Sequence, residues 1–178
     1  MSYYDRILDF AMDNHYLVST DDARELGVPP AELPKLAARG RLENLSRGLY
    51  RVSRYVPSDS DAYAVAVARA GGDAYLYGES VLALLGLAPT NLSRIFVASP
   101  RRVRRRMPET VRVVFAPGTS ASGSYDGIPS QTVAEALRSC QGSMMPDRLA
   151  AAARRARDLG YLTARQMREM EGPEHGRS

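Results

Sequence analysis

The sequence predicts an α+β protein in two parts: a helical N-terminal module closed by a β-hairpin, then a small mixed α/β C-terminal domain. Three observations lead there. The apolar period falls from three or four residues to two near position 41. Glycine and proline divide the first 55 residues into lengths that suit short helices. A Pro/Ser/Asp stretch at 57–61, PSDSD, then separates this module from a chain in which strand-like and helix-like runs alternate.

Residues 2–14 read as an amphipathic helix, with Tyr3, Ile7, Leu8, Phe10 and Ala11 on one broad face and Asp5, Asp9 and Asp13 on the other. Tyr16, Leu17 and Val18 form a short extended piece. Ser19 or Thr20 caps a second helix, whose first turn holds Asp21 and Asp22, where the helix dipole favours acids. Gly27 stops it. A third helix starts at Pro30, where a missing N–H costs nothing, and ends before Gly40, with Pro34 tolerated in or just past its first turn. Residues 41–45 and 49–52 alternate as two strands, joined by the three-residue turn Ser46-Arg47-Gly48.

The rest reads as a helix to Ala70, a strand near 74–77, a helix over 79–85 and strands at 95–98 and 111–115. A flexible Gly/Ser loop at 117–127 follows, then helices over 130–140, 147–159 and 163–171. The expected domains are residues 1–56 and 59–171, with a flexible tail at 172–178.

Composition narrows the function. A 44% apolar and 25% charged chain is that of an ordinary globular protein. No apolar run approaches the ~20 residues that span a bilayer, and the N-terminus lacks the basic-then-apolar order of a signal peptide. A cytoplasmic protein with no membrane partner is expected. The one cysteine, Cys140, excludes an internal disulfide, and with His15 and His175 far apart no zinc site is expected. No catalytic residue, metal or cofactor is assigned. Neither histidine is placed as the base of a triad, there is no phosphate-binding glycine-lysine motif, and the only lysine, Lys35, lies inside the first module.

Helix, short helix, glycine turn, helix, hairpin is the order of a winged helix-turn-helix. Ala23, mid-way along the second helix, lets the third cross closely, and that third helix is the one that enters a major groove. Charge is distributed to match. Residues 1–34 carry two arginines against seven acids, a charge of −5, and residues 35–54 carry six cations against Glu43, a charge of +5. On the third helix Leu33, Leu36 and Ala37 face inward, while Ala31, Glu32, Lys35, Ala38 and Arg39 face outward. Lys35 and Arg39 can reach phosphates, and Glu32 can accept from a cytosine amine. Arg47 at the hairpin tip is placed as a wing residue. Thr20, Arg41, Asn44, Ser46 and Arg51 complete the candidate DNA contacts. Prolines 29, 30 and 34, with few long polar side chains nearby, favour phosphate contact over base readout. A winged module that binds protein in place of DNA fits the same pattern. The basic run Arg101, Arg102, Arg104, Arg105 and Arg106 is either a solvated loop or a second basic surface for nucleic acid or an acidic partner.

Residues 39–51, RGRLENLSRGLYR, resemble the G-x-L-x-x-L-x-R-G-x-Y ending of the N-terminal domain of AbiEi-type antitoxins. Residues 77–87 (YGESVLALLGL), 97–102 (VASPRR) and 128–137 (IPSQTVAEAL) resemble later segments of that family in the same order, so the similarity spans roughly residues 15–165. The resemblance implies a DNA-binding antitoxin that represses its own operon and neutralises a nucleotidyltransferase toxin encoded beside it, directly or indirectly. Its expected partners are that toxin and the double-stranded DNA of its own promoter, at inverted repeats.

Overall fold

The computed structural model describes residues 1–88 and 93–172. It divides the chain into two compact units, Met1–Gly72 and Asp73–Ser178. Part of the expected flexible tail, residues 173–178, lies outside the described residues.

In the first unit, helix α1 (Tyr3–Met12) opens on a reciprocal cap, in which Ser2 accepts from the Asp5 N–H and Asp5 accepts from the Ser2 N–H. Its apolar face buries Ile7 and Ala11 completely. His15 and Tyr16 then turn the chain at φ of 53° and 60°, and the Tyr16 N–H donates back to the Ala11 carbonyl at 2.6 Å. Strand β1 (Leu17–Ser19) leads into α2 (Thr20–Glu25), capped by Ser19. Helix α3 (Glu32–Ala38) starts two residues later than Pro30, because residues 29–31 are spent in a turn in which the Pro29 and Pro30 carbonyls accept from Glu32 and Leu33. Pro34 occupies the third helical position, where no intrahelical N–H bond is lost.

Strands β2 (Leu42–Ser46) and β3 (Leu49–Val52) form the hairpin, and β1 joins its far side to give the antiparallel order β1-β3-β2. The turn is shorter than the three residues expected. Ser46 pairs with Leu49, leaving Arg47-Gly48 as the loop, and the extra residue appears as a register shift between Asn44 and Ser46. One core joins helices to sheet: Ile7, Ala11, Val18, Ala23, Val28, Leu33, Leu36, Leu42, Tyr50 and Val52. Helix α4 (Asp61–Ala70) belongs to this unit by its contacts.

The second unit holds β4 (Tyr75–Leu76), α5 (Glu79–Leu84), β5 (Ile95–Ser99), β6 (Val111–Phe115), β7 (Gly123–Tyr125) and β8 (Ile128–Ser130), then α6 (Val133–Ser139), α7 (Pro146–Asp158) and α8 (Ala164–Glu171). Its sheet runs β6-β5-β4-β8-β7 and is mixed, with β5/β6 and β4/β8 parallel and the other two pairs antiparallel. Leu76, Val81, Leu82, Val97, Ile128, Val133 and Leu137 are its fully buried large side chains. The architecture is α+β, with a winged helix-turn-helix before a small mixed α/β domain.

The 117–127 segment is not the open loop its composition suggests. Its last part is β7, paired with β8, and Thr119 donates to the Ala116 carbonyl at 2.6 Å. Ser122 donates to Glu135 and accepts from the Thr132 N–H at 3.1 Å. These side-chain hydroxyls tie the segment down locally, which a Gly/Ser count does not reveal.

Cys140 is buried at the end of α6, and burial, then the nearby Glu79 charge, pushes its thiol up to about 12, so it stays a neutral, inert side chain. Among the described residues no helix is long and apolar enough to cross a membrane, and no group of three or more His, Cys, Asp or Glu side chains is placed to hold a metal.

Candidate nucleic-acid interface

Helix α2 closes on Gly27 at φ 70°, with the Val28 N–H reaching back to the Ala23 carbonyl at 2.8 Å and the Gly27 N–H to Arg24 at 3.1 Å. Ala23, fully buried, shares one core with Leu33 and Leu36 of α3. Helix α3 ends in the same way on Gly40 at φ 74°: the Arg41 N–H donates to Leu36 at 2.9 Å and the Gly40 N–H to Ala37 at 3.0 Å. Both helices of the pair are thus terminated by local backbone geometry, and the second presents one apolar and one solvent face.

On the solvent face, Ala31, Lys35, Ala38 and Arg39 are exposed and Glu32 is half-buried. Lys35 donates to Glu32 at 2.9 Å, so these two form a pair along one side of the helix. Arg39, at the helix end, has no ion pair among the described residues. Arg41 lies with its guanidinium 4.7 Å from the centre of the Tyr4 ring, a stacking that holds it in place without neutralising it.

In the wing, Arg47 is exposed at the tip and has no ion pair among the described residues. Asn44 is exposed on β2. Three other candidates have different surroundings. Thr20 donates its N–H to the Gly48 carbonyl at 2.9 Å, and its hydroxyl lies 3.1 Å from where a Gly48 Cβ would sit, so it fixes the wing turn to the start of α2. The Ser46 hydroxyl is buried. Arg51 stands directly across from Glu43, pairs with it at 2.9 Å and stacks 3.9 Å from the Tyr55 ring centre, with its side chain 18% exposed. It faces away from the core because its neighbours Tyr50 and Val52 face into it, and Glu43 and Tyr55 then cover it.

The basic run of the second unit follows β5 in the parallel crossover to β6. Arg101, Arg102, Arg104, Arg105 and Arg106 are all exposed. Arg101 reaches Asp73 at 3.4 Å, and Arg102 lies 4.5 Å from the ring centre of Phe115, itself an exposed aromatic on β6.

Sequence reasoning counted Arg54 among the basic residues but assigned it no contact. The structure sets it beside Arg39, Arg41, Gly40, Ser53 and Tyr4 around one cleft. The signal that would have found it is strand register: residues 41 and 53 close the open end of the hairpin, where the Ser53 N–H donates to the Arg41 carbonyl at 3.1 Å.

A helix pair with a tight glycine turn, a three-stranded sheet, and exposed arginines at the end of the second helix and at the wing tip together define a winged helix-turn-helix module. Residues 5–53 match the family model described as "Transcriptional regulator, AbiEi antitoxin", so this stretch of the chain is similar to that family over the helix-turn-helix and the wing. No curated protein matches the chain. Among solved structures, the "RV2827C protein from Mycobacterium tuberculosis" is similar at 18% identity and a TM-score of 0.47, over 96% of this chain and 71% of that one.

Proposed function

We propose that this chain is the antitoxin and transcriptional autorepressor of a toxin–antitoxin operon. It binds its own promoter through α3 and the wing and neutralises a nucleotidyltransferase toxin encoded beside it. The observation that carries the DNA-binding half is the set of exposed cations with no ion pair among the described residues, Arg39, Arg41 and Arg47, on the module that matches the AbiEi regulator family model. In this reading the protein acts in the cytoplasm, without catalysis or a cofactor. Binding at an inverted repeat seats two copies, because a symmetric site mirrors a symmetric pair.

Contact is made chiefly to phosphates. Lys35 and Glu32 satisfy each other, and Ala31 and Ala38 carry no polar side chain, so α3 has few groups left to read base edges. The same scarcity favours the second reading, a module that restrains a toxin without sequence-specific DNA binding. One experiment separates the two: binding of the full chain to its upstream promoter, measured by anisotropy at near-physiological salt, for the natural protein and an Arg39→Ala, Arg41→Ala, Arg47→Ala variant. The triple variant should lose most of the affinity. Undiminished binding would reject the α3-and-wing interface, and no binding by either protein would favour the second reading.

A further inference from the structure

The open end of the hairpin holds a concave site that the outward face of α3 does not account for. Tyr4, Arg39, Gly40, Arg41, Ser53 and Arg54 line a cleft of about 310 Å³, small for a drug-sized ligand and suited to one compact group. Three arginines line it from different pieces of backbone: the C-cap of α3, the first residue past Gly40 and the segment beyond β3.

Two local devices bring them together. The left-handed conformation of Gly40 reverses the chain between Arg39 and Arg41. The Ser53 N–H bond to the Arg41 carbonyl then clips the exit of β3 to the entrance of β2, which sets Arg54 beside them. Tyr4 supports the Arg41 guanidinium through its π face and leaves the in-plane N–H donors at the edge. None of the three arginines has an ion pair among the described residues. Asp5 is an acid in electrostatic reach of Arg41. Its carboxyl is held below the ordinary carboxylate range first by the Ser2 hydroxyl and N–H, with Arg41 a lesser cause, and those Ser2 groups occupy one of its oxygens. The C-terminal dipole of α3 favours a cation at Arg39 but gives no reason for Arg54. Like charges gathered in a concavity repel one another unless an anion joins them, and the fork of donors on each guanidinium fits tetrahedral phosphate oxygens.

We propose that this cleft binds a single phosphate group, with Arg54 as its distinguishing ligand. The group is either a backbone phosphate of bound DNA or a free phosphate monoester. The wing tip lies at the other end of β2, about 17 Å away at ~3.3 Å per residue, so the site is separate from the Arg47 contact. The backbone source rests on the DNA-binding reading above; the cleft itself does not.

The test uses the full chain. Thermal unfolding is followed in sodium phosphate and in sodium chloride matched for ionic strength and pH, for the natural protein and for Arg54→Ala, with Arg54→Gln as the substitute if the alanine variant does not fold. A free-phosphate site gives a saturable rise in Tm with phosphate that Arg54→Ala loses and Arg47→Ala keeps. A backbone-phosphate site lowers the slope of log affinity against log salt for duplex DNA by about 0.9 in Arg54→Ala. Either result supports the proposal and names the source. If phosphate stabilises no better than matched chloride and Arg54→Ala leaves the slope unchanged, the proposal is overturned. Should the chain bind no duplex at all, the DNA reading fails alone, and the presence or absence of the phosphate-specific Tm rise still decides the cleft.

Discussion

Gly40 stands at φ 74° between two arginines, and the sign of that angle sets where both charges go. A Cβ added there would meet nothing within 4 Å, so the cost of a side chain is backbone strain alone. Gly40→Ala is therefore expected to destabilise the protein by about 1–2 kcal/mol in urea unfolding, the cost of holding an L-residue in the left-handed region. A change near zero would mean that the turn relaxes and that Arg39 and Arg41 are not held by it. Other cations of the same stretch are already committed. Arg51 is neutralised by Glu43 and stacked on Tyr55, and Lys35 is paired with Glu32. Of the +5 carried by residues 35–54, the charge available to a partner is concentrated at Arg39, Arg41, Arg47 and Arg54.

Helix α3 and the wing act as elements because Thr20 ties the hairpin turn to the start of α2. Arg47 is thereby presented at a fixed end of the sheet, and Arg47→Ala should weaken binding to all DNA sequences alike and flatten the log affinity against log salt slope by about 0.9. A titration at several salt concentrations on the promoter and on an unrelated duplex checks both parts; a loss confined to the promoter would make Arg47 a base-reading residue. The elements of this unit were legible in the sequence because their stops are single residues: Gly27 and Gly40 adopt the positive φ that ends a helix. Less legible was anything set by pairing. The pairing of 123–125 with 128–130 turns a Gly/Ser stretch into strands too short to show a period. The orientation of Arg51 depends on which neighbours face the core, and the place of Arg54 depends on the hairpin closing in one register. Local propensity fixes neither, because both are properties of two segments at once.

At the scale of the molecule, the two compact units part after Gly72, whereas the Pro/Ser/Asp stretch at 57–61 runs into the first residue of α4 and has Pro57, Ser58 and Asp59 exposed. We propose 57–61 as the functional boundary. A broad-specificity protease should cut there first and leave a fragment that begins near α4; a first cut near Gly71 and Gly72 would move the boundary to the edge of the compact units. If the first module carries DNA binding and the rest carries antitoxicity, the two activities separate by mutation without truncation. The Arg39→Ala, Arg41→Ala, Arg47→Ala variant changes only exposed side chains of the first unit, so its fold should persist, as circular dichroism can verify. In cells expressing the proposed nucleotidyltransferase toxin from an independent promoter, this variant should restore growth as fully as the natural protein while a reporter driven by the proposed target promoter is derepressed. That outcome would place neutralisation outside the α3-and-wing surface. Loss of growth rescue together with loss of repression, in a variant that still folds, would instead assign both activities to the one basic face, and the second unit with its 101–106 run would need another role.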